Sequence, residues 1–276
     1  MSILQESRQA LGSEFAHALD QLGDFLTTHR VIPLSLLAVG LGVLSTFLAV
    51  ILLTLIDLFT NVFFFHRLAI VHVSPSDHTL GPTLVFTPVV GGLMIGLMAR
   101  YGSERIRGHG IPEALEAILM YRSRVQPRVA FLKPLSSAIS IGSGGPFGAE
   151  GPIIMTGGAF GSLVAQCFRL TSAERKTLLV AGAAAGMSAT FAAPVSAVLL
   201  AVELLLFEWR PRSLIPVAAA SATAAGLRPY LLGRGPLFHV PPHATSFGPD
   251  VMLGAALVGL LAGVLSACLT RAVYMA

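Results

Sequence analysis

Two short segments have the residue types needed to bind an anion: residues 108–113 (Gly-His-Gly-Ile-Pro-Glu) and residues 148–152 (Gly-Ala-Glu-Gly-Pro). Proline is favoured in the first turn of a helix because it lacks only an N–H group that the helix start would leave unpaired. The other free N–H groups and the positive end of the helix dipole would point into the preceding loop, where an anion can bind. We therefore predict anion contacts at these residues: Gly108, His109, Gly110, Ile111, Pro112, Gly148, Ala149, Gly151 and Pro152.

The second segment also carries a single carboxylate, Glu150, inside a stretch from Pro134 to Phe168 that has no Lys or Arg. A carboxylate at membrane depth is costly unless it is paired or functional. Beside helix-start N–H groups, Glu150 can occupy the place of an anion, and protonation would remove its charge. Glu150 could therefore compete with a bound anion when it is charged and lose that competition when it is protonated. The alternative is a helix-capping carboxylate without such a role.

Other kinds of chemistry have weaker support in the sequence. Phe147 stands where a dinucleotide fingerprint starting at Gly142 would need its third glycine, and no phosphate-binding loop of the Gly-x-x-x-x-Gly-Lys-Ser/Thr type occurs. The two cysteines, Cys167 and Cys268, lack the spacing of a metal site, and the histidine pairs His72/His78 and His239/His243 lie in predicted loops without further ligands. We therefore expect no enzyme activity, no cofactor and no metal.

Composition indicates that lipid is the main solvent of this chain. Of its 276 residues, 54% are hydrophobic and only 12% are charged, against about 25% charged in soluble domains. The 18 Lys and Arg residues exceed the 14 Asp and Glu residues, but they cluster in short segments between apolar runs. That distribution is typical of cytoplasmic loops of membrane proteins and does not favour nucleic-acid binding.

The hydropathy pattern predicts an all-α polytopic membrane bundle with tilted and discontinuous helices. Residues 134–168 contain two short apolar segments interrupted by Gly and Pro, and broken helices of this kind mark binding sites in transporters. The predicted elements are an amphipathic helix at 1–30 on the cytoplasmic membrane surface, a tilted span at 31–65, a span at 82–99, a short helix at 111–121, the broken segments at 134–168, a run at 177–207 split at Pro194, a span at 213–232, a loop at 233–249 and a last helix from 250.

Glycines four residues apart predict close contacts between helix backbones. The pairs are Gly92/Gly96, Gly157/Gly161, Gly182/Gly186 and Gly259/Gly263. This spacing supports a compact bundle and does not indicate a substrate.

The two glycine-proline segments, in this order and hydropathy context, resemble the CLC family of chloride channels and chloride–proton antiporters. Residues 108–113 are similar to its first pore motif, usually Gly-Ser-Gly-Ile-Pro-Glu, and residues 148–152 to its second, usually Gly-Arg/Lys-Glu-Gly-Pro. The resemblance covers residues 30–276 and implies that Glu150 is the gating glutamate. It also implies two inverted repeats and a homodimer with one pore in each subunit.

Three positions depart from the family pattern. His109 replaces the usual Ser, and either its imidazole contacts the ion or the backbone alone does. Ala149 replaces the usual basic residue before the glutamate. Leu204 stands where proton-coupled members often have an inner glutamate, which favours passive or weakly coupled conduction. Glu203 beside it is a candidate inner carboxylate, with a structural or interface role as the favoured interpretation.

The sequence thus predicts transport of chloride or a similar small anion, with protons as a further candidate, by a multi-pass protein of the plasma or inner membrane. Its N-terminus is expected in the cytoplasm, and membrane lipid is the expected surrounding. Residues 31–232 are expected to form the first repeat, and residues 250–276 the truncated start of the second. The alternative is a truncated, non-conducting fragment that acts as a structural or regulatory partner, because the family's third pore motif, Gly-x-Phe-x-Pro, does not occur in the sequence.

Overall fold

The computed structural model describes residues 29–108, 110–234 and 248–275, apart from the side chain of Asp250. The predicted amphipathic helix lies outside these residues except for its last two positions, and so do His109 and most of the predicted loop at 233–249. The chain forms two compact units, Met1–Leu237 and Phe238–Ala276. Each unit is described by itself.

The described residues form helices and connecting segments, without strands. The helices of the first unit are α1 (Val31–Phe65), α2 (Phe86–Tyr101), α3 (Ile111–Leu119), α4 (Pro127–Gly142), α5 (Glu150–Gln166), α6 (Ser172–Phe191), α7 (Pro194–Ala201) and α8 (Pro211–Leu231), and the second unit contains α9 (Pro249–Met275).

Three stretches among the described residues are long and apolar enough to cross a membrane: Val31–Phe65, Gly81–Tyr101 and Val251–Met275. The first, α1, has the bounds that the sequence predicted for the tilted span. It ends where His66 adopts a left-handed conformation and donates its backbone N–H to the carbonyl of Asn61. Large apolar side chains such as Leu36 and Phe47 lie exposed on α1, as expected of a helix that faces lipid.

The core of the first unit is built around α6, which packs against α1, α5 and α8. The backbones of α5 and α6 touch, because a Cβ added at Gly157 would lie 2.3 Å from the carbonyl oxygen of Gly182. Ser45 of α1 donates a hydrogen bond to the same carbonyl at 3.2 Å. These contacts confirm the close packing that glycine spacing predicted for the pairs at 157/161 and 182/186.

The same prediction is wrong for Gly92 and Gly96 within the part of the chain that the structure describes. A Cβ added at either glycine of α2 would meet no atom within 4 Å. The spacing alone could not reveal this difference, since it does not say which face of a helix is buried.

The apolar run at 177–207 is divided at Pro194, as predicted. Helix α6 ends where Ala192 adopts a left-handed conformation, and α7 begins at Pro194. A π-helical turn, Val202–Leu206, then follows α7 and contacts α3. This division leaves α7 with 8 residues, too short to span the hydrocarbon, which requires about 20.

Candidate anion site

The starts of α3 and α5, which carry the two predicted anion-binding segments, are in direct contact. Gly110 precedes α3 and has a φ of 107°, and a Cβ added there would lie 2.2 Å from the carbonyl oxygen of Gly151. Only glycine combines this conformation with this approach. The two segments, 40 residues apart when counted from Gly110 to Glu150, therefore form one site.

At the start of α3, the carboxylate of Glu113 folds back over the preceding loop. Its Oε2 atom accepts a hydrogen bond of 2.6 Å from the backbone N–H of Gly110. The same carboxylate covers Gly108, whose φ is 89° and where an added Cβ would overlap Glu113. The prediction that the helix-start N–H groups are free is therefore wrong for Gly110. A carboxylate three residues into a helix can reach back in this way, as in a capping box.

At the start of α5, Glu150 is the first helical residue, and its side chain is exposed. The carboxylate bends back over Gly148, where an added Cβ would overlap it. Among the described residues, no hydrogen-bond or ion-pair partner is found for this carboxylate. By contrast, Gly151 and Pro152, which follow it, are buried. The backbone at the start of α5 therefore places Glu150 close to the site, and no side chain within the described residues holds its carboxylate.

A cavity of about 450 Å³ lies beside the two helix starts. Both segments reach it, through Gly108 and through Gly148 and Pro152. The other side is formed mainly by α4, and the remaining lining residues are Ile95, Ile106, Arg107, Lys133, Ser136, Ser137, Ser140, Ile141 and Phe147. Hydroxyl groups, two basic side chains and an apolar wall thus surround a space next to the positive ends of two helices.

Lys133 supplies a positive charge to this cavity from the interior of α4. The residue is 1% exposed. Its Nζ donates hydrogen bonds to the carbonyl oxygens of Ile106, at 2.9 Å, and Gly108, at 2.7 Å. The ammonium group therefore holds the loop that leads into the first segment. The carboxylate of Glu113 is close enough to interact with it electrostatically, but no described carboxylate forms an ion pair with it.

Lys133 and the three serines, Ser136, Ser137 and Ser140, were not among the predicted site residues. A signal was present, because Lys133 is a single cation within an apolar helical run, and an ionisable residue in such a position is a functional candidate. The predicted start of the broken segment at Pro134 placed this lysine just outside it, whereas α4 begins at Pro127 and contains both residues.

Several other residues predicted for the site do not line the cavity. Ile111 and Pro112 open α3, and Ala149 precedes α5, but none of the three lines the cavity. Glu203 lies in the π-helical turn after α7, is exposed and does not line the cavity either. The role of His109 stays a prediction because this residue is outside the described chain.

In the loop after α1, Nδ1 of His72 lies 2.8 Å from Oδ1 of Asp57. The described residues contain no group of three or more His, Cys, Asp or Glu side chains that could hold a metal ion. This pair therefore ties the loop after α1 to the end of that helix.

Fold and site together define a class: an all-helical membrane protein in which broken helices direct their starts at a cavity with positive charge. The family model of the voltage-gated chloride channels matches residues 91–276. The chain belongs to this family, the CLC proteins, and the resemblance inferred from the two segments is confirmed.

Curated relatives give the same result. A ClcB-like chloride channel protein of Ralstonia nicotianae is 30% identical over 185 residues, which cover 65% of this chain and 43% of the relative. The H⁺/Cl⁻ exchange transporter ClcA of Salmonella arizonae is 32% identical over 160 residues, covering 58% of this chain and 33% of the relative. The chain thus spans less than half the length of these relatives.

Solved structures share the fold. The crystal structure of a CLC-type fluoride/proton antiporter matches with a TM-score of 0.66 at 21% identity, covering 87% of this chain and 57% of the antiporter chain. A slow cyanobacterial Cl⁻/H⁺ antiporter matches with a TM-score of 0.59 at 21% identity, covering 87% and 55% of the two chains. The CLC-like helical membrane fold is therefore confirmed.

Proposed function

We propose that this protein takes part in the movement of chloride or a similar small anion across a membrane, and that the anion binds beside the starts of α3 and α5. The observation that carries the proposal is the contact of Gly110 with Gly151 next to a cavity bordered by Lys133. Two helix dipoles and one ammonium group favour a negative ion there. The names of the relatives, a chloride channel protein and an H⁺/Cl⁻ exchanger, support the same class of cargo.

Glu150 is the gate in this proposal. Its carboxylate is next to the site, carries the same charge as the cargo and has no described partner that holds it elsewhere. When charged, it competes with the anion for the helix-start N–H groups. When protonated, it loses this advantage, and the anion can take its place. A proton could therefore regulate anion transport or be transported together with the anion.

Coupling to protons depends on a second carboxylate. Glu203 is exposed in the π-helical turn that contacts α3, and it is the candidate for an inner proton-transfer group. Leu204 beside it leaves a single carboxylate in that turn. We therefore propose weakly coupled or passive conduction, with Glu203 serving as a structural or interface residue.

The setting of the site is also proposed. The protein is a transport protein and not an enzyme, acts in the cell membrane with a cytoplasmic N-terminus, and forms a homodimer. Residues 31–232 are the first of two inverted repeats, and residues 250–276 begin the second. Basic side chains at the starts of α1 and α8, including Arg30 and Arg212, support the proposed orientation.

Chloride binding and chloride efflux, measured on the same purified protein, test this proposal. Calorimetry in detergent is expected to show chloride binding that Lys133→Met weakens. Efflux from liposomes loaded with chloride is expected for a transporter. Binding without efflux would favour the alternative role as a non-conducting partner. Absence of both would contradict the proposed function.

A further inference from the structure

A second polar pocket lies away from the anion site, at the end of the bundle where α1, α6 and α8 begin. Arg30 before α1 forms an ion pair of 3.3 Å with Glu174 of α6, and Arg212 at the start of α8 borders the same region. A separate pocket of about 300 Å³, next to the start of α6, is lined by Arg124, Gln166, Phe168, Arg169, Leu170 and Arg175. The proposed anion pathway uses none of these residues.

The three arginines of this pocket come from three different segments. Arg124 lies in the turn between α3 and α4, Arg169 in the loop after α5, and Arg175 in the first turn of α6. Arg175 is partly engaged, since its Nη1 donates to the carbonyl oxygen of Leu170 at 2.9 Å. Within the described chain, the guanidinium groups of Arg124 and Arg169 have no hydrogen-bond or ion-pair partner. Two cationic groups are therefore available to a ligand.

Acidic residues do not neutralise the pocket. Its lining contains no Asp or Glu. Glu174 is next in sequence to Arg175, but it accepts a hydrogen bond of 2.8 Å from the backbone N–H of Thr171 and pairs with Arg30. Glu113 and Glu116 border a separate small pocket on the other side of Arg124. The arginines therefore present a net positive charge to any ligand in the larger pocket.

Hydrogen bonds from α5 stabilise the turn that carries Arg124. Arg122 and Ser123 are consecutive non-glycine residues with positive φ, 52° and 59°, a conformation that is costly for such residues. Ser162 of α5 stabilises it, donating to the carbonyl of Ser123 at 2.6 Å and accepting from the N–H of Val125 at 3.0 Å. Gln166 adds a hydrogen bond of 3.2 Å to the carbonyl of Val125.

We propose that this pocket binds a phosphate group, supplied either by a lipid headgroup or by a soluble phosphate compound. Guanidinium groups match phosphate oxygens because they form paired, charge-assisted hydrogen bonds. A volume of about 300 Å³ also lies at the small end of the range for ligand pockets, roughly 300–1,000 Å³. The basic end of a membrane bundle is the part that meets anionic headgroups.

Native mass spectrometry of the purified protein tests this site. Dioctanoyl phosphatidate is expected to stay bound in preference to dioctanoyl phosphatidylcholine. Arg124→Ala and Arg169→Ala are each expected to lower phosphatidate retention about tenfold. Arg128→Ala is the matched control, because Arg128 is exposed near the same turn but does not line the pocket. Arg169 has no described partner to lose, so its variant keeps the test valid if Arg124→Ala does not fold.

Inorganic phosphate separates the two sources of the ligand. Displacement of phosphatidate by inorganic phosphate at similar concentration would support a soluble phosphate ligand, and resistance to displacement would support a lipid headgroup. Equal retention of the two lipids by the unmodified protein would overturn the proposal. An equal loss of phosphatidate in Arg128→Ala would also overturn it, because general surface charge would then explain the binding.

Discussion

At the scale of single residues, Lys133 has one proposed effect and one observed effect. Its ammonium group is proposed to attract the anion, and its two hydrogen bonds hold the carbonyls of Ile106 and Gly108. A neutral hydrogen-bond donor at position 133 would keep part of the hydrogen bonding and remove the positive charge. The two effects can therefore be measured with a pair of substitutions.

We expect Lys133→Met to weaken chloride binding and to lower thermal stability, because it removes the charge and leaves two buried carbonyls without a donor. Each such carbonyl costs about 1–3 kcal/mol. Lys133→Gln should weaken chloride binding as well but lose less stability, since its amide can still donate. Calorimetry and thermal unfolding in detergent measure these two quantities. Unchanged chloride affinity in both variants would exclude an electrostatic role for Lys133.

A second prediction for a single residue concerns the effect of Glu150 on the pH dependence of anion flux. In a conducting form of the protein, lowering the pH is expected to increase anion flux, because protonation of Glu150 removes the charge that competes with the anion. Glu150→Gln should give high flux with little pH dependence, since the amide mimics the protonated carboxyl group. Liposome efflux measured at several pH values gives the result. Glu208→Gln is the control, as Glu208 lies in the link before α8 and pairs with Arg210. A wild-type pH profile in Glu150→Gln would show that another group is the gate.

At the scale of helices, glycine residues allow the backbones of neighbouring helices to come into contact. A Cβ at Gly182 would lie 2.2 Å from the carbonyl oxygen of Gly157, so α5 and α6 can approach only without a side chain there. The contact matters for the site, because α5 carries Glu150 at its start. In α2, the open surroundings of Gly92 provide a natural contrast.

Gly182→Ala is therefore expected to destabilise the protein by about 1–3 kcal/mol, the usual cost of overpacking a close contact. Gly92→Ala should be neutral or stabilising by up to about 1 kcal/mol, because alanine favours the helix. Thermal unfolding in one detergent compares the two variants directly. If Gly182→Ala and Gly92→Ala destabilised the protein equally, the close contact between α5 and α6 would not be what determines stability.

The sequence predicted helices well where apolar runs and prolines mark their ends. The bounds of α1 and the division at Pro194 followed from hydropathy and proline chemistry. Two other features could not be predicted in this way. The contact between Gly110 and Gly151 depends on how segments far apart in sequence meet in space. The hydrogen bond from Gly110 to Glu113 depends on the side chain of Glu113 folding back over the loop before it. The two carbonyls that Lys133 reaches are 27 and 25 residues away, and no local pattern indicates such a partner.

At the scale of the whole molecule, the chain belongs to the CLC family and spans 43% of one curated relative and 33% of another. The proposed anion site lies within the first unit, beside the starts of α3 and α5 and against α4. Anion binding can therefore be tested directly on this chain.

Bromide replaces chloride chemically and scatters X-rays anomalously, so crystals soaked in bromide show directly whether an anion binds beside the starts of α3 and α5. We expect an anomalous peak in the cavity bordered by Gly108, Gly148 and Lys133, and a weaker peak in Lys133→Met crystals. A bound anion elsewhere in the bundle, with no peak beside the starts of α3 and α5, would contradict the proposed site.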